Sequence, residues 1–393
     1  MLNKKILGVL FFSIFTAVTG VGIVVPLLPV YAHSMGASGF LIGMIFGAFS
    51  MSRTVFLPFF GRLSDRKGRK PMIATGLISY ALISVAFIFS NTVHGLILVR
   101  FIQGIASAMM MPVALAYVGD ITPAGSEGTT MGLFNISMFF GLSLGPVIGG
   151  VINDRFNLDG AFIAMGILSL VGFMLSLFWL PPTRTEHVLQ NKTAPAPWRK
   201  IIVDRVIASL FVFRFAYAAC IGIIWGFLPV LADTVFSLSS LAIGVLVMLG
   251  VFISGLIHYP MGALADRVNK KIMVISGGLL VCAALLYYEW ASGFNDLLCA
   301  TSCFGIGGGI AMPALMALAV QKGNQVEAMG SVMSLITLAH SLGMLLGALL
   351  AGLMMDMFEL SYSFPLGAGL MLLATLAFSL CTISKRQKPA EQR

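Results

Sequence analysis

The chain has 393 residues, 58% hydrophobic and only 10% charged, with 24 Lys and Arg against 15 Asp and Glu for a net charge of +9. A soluble domain carries about 25% charged residues, so this composition excludes a water-soluble globular protein. Its apolar runs of about 20 residues also exclude a lipid-spanning barrel, which is built from short alternating segments.

Hydropathy divides the chain into twelve predicted spans, at about 6–30, 38–60, 71–90, 95–118, 129–152, 161–180, 206–232, 240–262, 272–291, 295–318, 328–352 and 361–383. The first is too long for a signal core and lacks a small-residue cleavage site after it, so it reads as a spanning helix. With the basic connections on one side, 20 of the 24 Lys and Arg lie there, Arg53, Arg100 and Arg214 lie within spans, and Arg155 lies on the other side. This positive-inside bias predicts the bacterial cytoplasmic (inner) membrane with both termini in the cytoplasm. It also removes the case for a nucleic-acid patch, since no soluble domain exists to carry one.

In the first half, span 2 carries Arg53 two helical turns before Gly61. The segment from Gly61 to Lys70, with Asp65, Arg66, Gly68 and Arg69, is a predicted charged loop in which Gly61 and Gly68 let the backbone turn tightly. Span 4 holds Arg100, with Gln103 one turn further in, then Met109, Met110 and Met111, and Asp120 at its end. Span 5 places Gly141, Gly145 and Gly149 on one helical face, where a second backbone can approach closely. Gly150 follows, and Pro146 removes one backbone hydrogen bond and predicts a bend. The connection 181–205 begins Pro181-Pro182 and contains Ala194-Pro195-Ala196-Pro197. It reads as a cytoplasmic linker between bundles 1–180 and 206–393.

In the second half, span 7 holds Arg214 between Phe211, Phe213 and Phe215, followed by Trp225. Span 8 holds His258 near its cytoplasmic end and leads into Gly262, Asp266 and Arg267. Met312 lies in span 10 and His340 in the middle of span 11. The five cysteines, Cys220, Cys282, Cys299, Cys303 and Cys381, sit in apolar stretches and read as small packing residues. Cys299 and Cys303 share a helical face, but no His or further Cys is near them in sequence, so no metal site is expected.

The two halves repeat. Gly61-Arg62-Leu63-Ser64-Asp65-Arg66 returns 201 positions later as Gly262-Ala263-Leu264-Ala265-Asp266-Arg267. Leu28-Pro29-Val30 matches Leu228-Pro229-Val230, Gly104 and Met111-Pro112 match Gly305 and Met312-Pro313, and Ser143-Leu144-Gly145 matches Ser341-Leu342-Gly343. The expected fold is therefore all-α and integral to the membrane, twelve helices in two six-helix pseudo-symmetric bundles. Parallel repeats of this kind are a transporter feature, and they place a binding site between the halves near the midplane.

On these residues the chain resembles the major facilitator superfamily over essentially its whole length. Gly61–Lys70 is similar to that family's motif between helices 2 and 3, and Arg100-Phe101-Ile102-Gln103-Gly104 to its helix 4 motif. Gly141–Gly150 is similar to the helix 5 motif of proton-coupled antiporters, especially drug exporters. The resemblance implies that Asp65 sits against the start of helix 11, near Ala328, and that Arg69 pairs with Asp120. Together they would latch the cytoplasmic side when the cavity faces outward. In the second half Lys270 replaces Arg69 and Gln321 stands where Asp120 does, so that latch is expected to be weaker. The resemblance also implies that the helix 5 glycine surface meets helix 8, and that the protein is a monomer.

An unpaired charge within a span costs about 2.5–3.5 kcal/mol on insertion scales, so Arg53, Arg100 and Arg214, with His258 and His340, are the candidates for cargo or proton handling. Each can instead be a structural hydrogen bonder or, for Arg214, a snorkelling side chain. No Asp or Glu sits mid-span, which departs from exporters of cationic drugs. The cavity is expected between helices 1, 4, 7 and 10, walled by the methionines and aromatics named above. Proton-coupled export of small amphipathic compounds is the leading expectation, with the proton gradient as energy source and no cofactor. Export or exchange of organic, phosphorylated or lipid-like anions on Arg53 and Arg214 is the alternative. An enzyme or receptor is not expected, because the chain shows no paired acids, metal cluster or phosphate-binding loop.

Overall fold

The computed structural model describes residues 4–122, 127–182, 201, 203–326 and 328–383. Twelve of its helices are long and apolar enough to cross a membrane. In chain order they are α1a (Lys4–Val24) with its continuation α1b (Leu27–Ser34), α2 (Gly39–Lys67), α3 (Arg69–Ile88), α4 (Val93–Ile121), α5 (Glu127–Arg155) and α6 (Leu158–Trp179). The second half has α7 (Arg205–Thr234), α8 (Ser240–Arg267), α9 (Lys270–Tyr287), α10 (Phe294–Gln325), α11 (Met329–Met357) and α12 (Ser363–Ile383). Most of the predicted linker 181–205 lies outside the described residues.

Local chemistry sets several helix starts. The side chains of Ser38, Thr92, Asn157, Ser239 and Asn269 each accept a backbone N–H from the first turn that follows them. The sequence expectation needs two corrections. Span 1 is not continuous: the chain breaks at Val25-Pro26, where proline supplies no donor, and resumes as α1b. The charged segment after span 2 is not a loop. Helix α2 continues to Lys67, Gly61 lies inside it with open space around its Cα, and Gly68 alone, at φ 90°, makes the turn into α3. At about 1.5 Å per residue, 29 residues reach well past the roughly 30 Å hydrocarbon core. Charges on the last turns therefore sit beyond the lipid tails and do not end the helix.

Packing follows the repeat. Helix α1a packs on α5 and α6, α2 on α4, and α3 on α4 and α6; in the second half α7 packs on α11 and α12, α8 on α10, and α9 on α10 and α12. Every pairing has its partner six helices on. The halves meet chiefly through α2 against α11 and α5 against α8, which are themselves related by the repeat. One end of the molecule carries the charged segments around Asp65 and Asp266 and is called the basic end below; the other carries the α1b–α2 and α7–α8 connections.

Candidate transport site and its gates

At the end opposite the basic one, the two halves are fastened by two carboxylates. Asp154, at the end of α5, accepts from the backbone N–H groups of Ser240 (2.9 Å) and Leu241 (2.8 Å) at the start of α8. Asp356, at the end of α11, accepts from those of Gly39 (2.5 Å) and Phe40 (2.8 Å) at the start of α2. These are donors with no intrahelical acceptor, at the positive pole of a helix. Asn153 adds a bond from its amide to the Ser240 hydroxyl at 2.8 Å.

Small residues let the backbones meet beneath those bonds. A Cβ on Gly39 would strike the Gly352 carbonyl, one on Gly150 the Ser240 carbonyl, and one on Gly244 the Pro146 carbonyl. Gly43 lies against Ala348 and Gly47 against the Leu345 side chain. Deeper in, Val25, Phe46 and Ala348 form a small apolar cluster that Val21 and Trp225 join to the main core. It draws on α1a, α2, α7 and α11, so it plugs the seam between the halves.

Beneath the plug lie the intramembrane charges. Gly43 against Ala348 and Gly47 against Leu345 set an antiparallel register that carries Arg53 to the level of His340. Gly343 against the Phe215 carbonyl and Gly347 against the Ala219 carbonyl set a parallel register between α7 and α11, which puts Arg214 within a turn of His340. The donors there are largely uncommitted. Among the described residues Arg214 Nη1 reaches only the Met312 sulfur, at 2.9 Å, and its Nε is buried without a partner, as is His340 Nδ1. Arg53 makes no hydrogen bond or ion pair among the described residues. Every described Asp and Glu lies within one turn of a helix end or in a connection.

Arg100 is different. It donates to the Ile45 carbonyl (3.2 Å) and to Gln103 Oε1 (2.6 Å), and its guanidinium lies over the rings of Phe46 and Phe49. It is 3% exposed and ties α4 to α2 inside the first half. His258 Nδ1 sits 2.6 Å from the Ser254 carbonyl, with its ring against Phe139 of the other half. The structure turns Phe213 onto Phe378 of α12 and Met110 onto Gly76 of α3, so these two do not wall a cavity.

The glycine face of α5 also departs from expectation. Gly141, Gly145 and Gly149 pack against Phe15, Thr19, Gly22 and Ile23 of α1a, whereas Pro146, Val147 and Gly150 reach α8. A glycine stripe requires a close neighbour but does not specify which helix supplies it.

At the basic end Arg69 bonds Asp65, the Ser64 hydroxyl (2.7 Å) and, through Nε, Asp120 (3.0 Å). Asp65 is thus held on α3, and among the described residues its hydrogen bond is to Arg69 and none comes from the first turn of α11. Arg66, Asp266 and Arg267 are exposed, and Gly262 lies loosely against Pro313. The second half carries a different pair. Lys322 donates to Asp204 at 2.9 Å, and Asp204 also accepts from the N–H groups of Val206 and Ile207. Burial pushes the Asp204 carboxyl up, but Lys322 and the two backbone donors outweigh it and hold the group below its ordinary value.

The sequence reading missed Asp154, Asp356 and the Asp204–Lys322 pair. The first two were detectable: they occupy matching repeat positions, just as the helix-capping Ser38 and Ser239 do.

Comparison with known proteins follows the same lines. The sequence matches the family model described as Major Facilitator Superfamily, over residues 10–343 and 210–393. It is 27% identical to multidrug resistance protein 2 of Bacillus subtilis, over 99% of this chain and 98% of that one. It is 33% identical to the quinolone resistance protein NorA of Staphylococcus aureus over 45% of each chain. Its fold superposes on a bacterial homolog of the human lysosomal transporter Spinster, in an inward-facing and occupied conformation, with a TM-score of 0.80, 12% identity and 99% of both chains covered.

Proposed function

The chain belongs to the Major Facilitator Superfamily and is a multi-pass membrane transporter, not an enzyme; from that premise we propose that it exports small amphipathic compounds in exchange for protons by alternating access. The observation that carries this reading is the one-sided closure. Two carboxylate clamps, glycine-backed helix contacts and an apolar plug join the halves at one end, directly above a set of uncommitted intramembrane nitrogens. At the other end Asp65 is paired with Arg69, and no bond from it to the first turn of α11 is made among the described residues. A site reached from one side, below a seam made of separable contacts, suits a carrier that exposes its site to each side in turn.

The concentration of Lys and Arg at the basic end supports a cytoplasmic location for that end and an inner-membrane setting, with both termini inside. The conformation is then inward-facing. In the outward-facing state the clamps would part, and Asp65 would move to the first turn of α11 while Arg69 keeps its bond to Asp120. Likeness to multidrug resistance protein 2 across nearly both full lengths supports drug-like cargo. His340 is the proposed proton carrier, since it is a titratable side chain in the middle of a span and its buried Nδ1 has no partner among the described residues; Asp120 and His258 are the secondary candidates. The protein is proposed to work as a monomer without a cofactor.

The test uses inverted membrane vesicles acidified inside and a fluorescent pH reporter. Adding amphipathic compounds should release lumenal protons, saturably, only in vesicles carrying the protein. A complete panel of cationic, neutral and anionic compounds with no dependent proton release would contradict proton-coupled export.

A further inference from the structure

We infer that Arg53, Arg214 and His340 together form an anion-binding subsite, and that the cargo is an amphipathic organic anion whose carboxylate, sulfonate or phosphate group is held by the two guanidiniums. The inference rests on the transporter reading and assigns its cargo class.

The first ground is electrostatic. Two arginines from different halves share one level inside the membrane, and no described carboxylate lies nearby. A lone guanidinium there is costly, and the usual relief is a carboxylate or a set of backbone carbonyls. Arg100 shows that relief in the same protein: it bonds a carbonyl and a glutamine amide and lies over two rings. Arg53 and Arg214 do not. Arg214 has one sulfur contact and a buried, unpartnered Nε, and Arg53 makes no hydrogen bond or ion pair among the described residues, with the Tyr80 ring as its electrostatic neighbour. Donors left open in that setting await an acceptor that the protein itself does not supply.

The second ground is the shape of the donors. A guanidinium presents a planar fork that matches two oxygens of a carboxylate or of a phosphoryl group. His340, with its unpartnered Nδ1, can complete the set from α11. Partly buried Phe211 and Phe215 flank Arg214 on α7, and the Met312 thioether lies against it, so an apolar tail has an adaptable surface beside the charged head.

The third ground is the repeat. The gate contacts come in matched pairs, Asp154 with Asp356 and Gly150 with Gly352. The positions that match Arg53, Arg214 and His340 hold Ser254, Ile14 and Leu142. A group that contacts one asymmetric cargo has no need of a copy, whereas a hinge shared by two halves does.

The test measures equilibrium binding to the full chain in lipid nanodiscs. The probes are phenylbutyrate, naphthalene sulfonate and phenyl phosphate, with phenylbutylamine and phenylbutanol as cationic and neutral isosteres. At least one anion should bind about tenfold or more tightly than the amine. Arg53→Gln and Arg214→Gln should each weaken that anion about tenfold or more while changing the alcohol by no more than about twofold. Arg53→Lys, which keeps the charge, should retain part of the affinity and covers the case in which Arg53→Gln fails to fold. Amine binding as tight as anion binding, or equal loss for anion and alcohol in the variants, overturns the subsite. Saturable proton release in the vesicle assay by cationic compounds alone would also overturn it, yet leave the transporter reading standing.

Discussion

Asp154 and Asp356 perform the same task at matching points of the two repeats: each carboxylate spans the two leading N–H groups of a helix in the opposite half. Together they make the closed end of the molecule a pair of reversible contacts. A carboxylate at a helix N-terminus is worth about 0.3–2 kcal/mol, depending on exposure. Two such clamps therefore bias the closed state without locking it.

Removing a clamp should open that end. Asp154→Ala or Asp356→Ala is expected to shift the equilibrium toward the outward-open state by about 5–30-fold, the equivalent of 1–2 kcal/mol, and the double variant further. A cysteine introduced at Ser34, which is exposed beside the seam, should then react faster with a membrane-impermeant maleimide. Unchanged labelling in the double variant would remove the clamps from the gate.

Asp65→Asn should separate transport from stability. Asp65 is 41% exposed, and the buried Arg69 keeps its bonds to Asp120 and the Ser64 hydroxyl when Asp65 is neutralised, so the half-solvated pair contributes about 1 kcal/mol. The melting temperature should therefore barely move, while transport falls because the outward-facing latch to α11 cannot form. Normal transport by the variant would contradict that gating role.

Arg100→Ala should behave in the opposite way. It leaves the Ile45 carbonyl and Gln103 without their charged donor inside the first half, a loss of about 3 kcal/mol for two charge-assisted bonds. Detergent-solubilised protein should melt lower, and every cargo should lose transport by the same factor. A cargo-selective loss would instead make Arg100 a ligand.

The Asp204–Lys322 pair should show its own pH dependence. The Asp204 carboxyl is held below its ordinary 3.8, so its contribution is fully present above that value and is lost as pH falls through the lower, folded-state value. Asp204→Asn keeps the helix cap and removes the charge. It should cost about 1 kcal/mol at pH 5–8, and the difference from wild type should vanish well below pH 3.8. Asp204→Ala should cost about 1 kcal/mol more, through loss of the cap. Thermal unfolding of both variants across pH checks this.

Much of the architecture was legible in the sequence. Twelve apolar runs and a repeat near 200 residues give the span count and the six-plus-six pattern, because lipid allows little else. Helix ends were less legible, since hydropathy marks where the bilayer stops and not where the helix stops; α2 therefore runs on to Lys67. Partner choice was not legible: Gly141 and Gly145 announce a close neighbour, but only the fold shows that it is α1a. The three intramembrane arginines were identified by cost alone. What separates Arg100 from Arg53 and Arg214 is whether their donors are already engaged, which depends on helices far away in sequence.

Alternating access itself is tested most directly by distances at both ends of one molecule. Pairs of spin labels are placed in a cysteine-free background, at Ser34 and Glu359 for the clamped end and at Lys67 and Gly330 for the basic end. Pulsed electron resonance is then recorded in nanodiscs at pH 5 and pH 8, with and without an amphipathic cargo. The account predicts opposite changes: conditions that lengthen the Ser34–Glu359 distance shorten the Lys67–Gly330 distance. Two ends that stay fixed in every condition, or that open and close together, would contradict it.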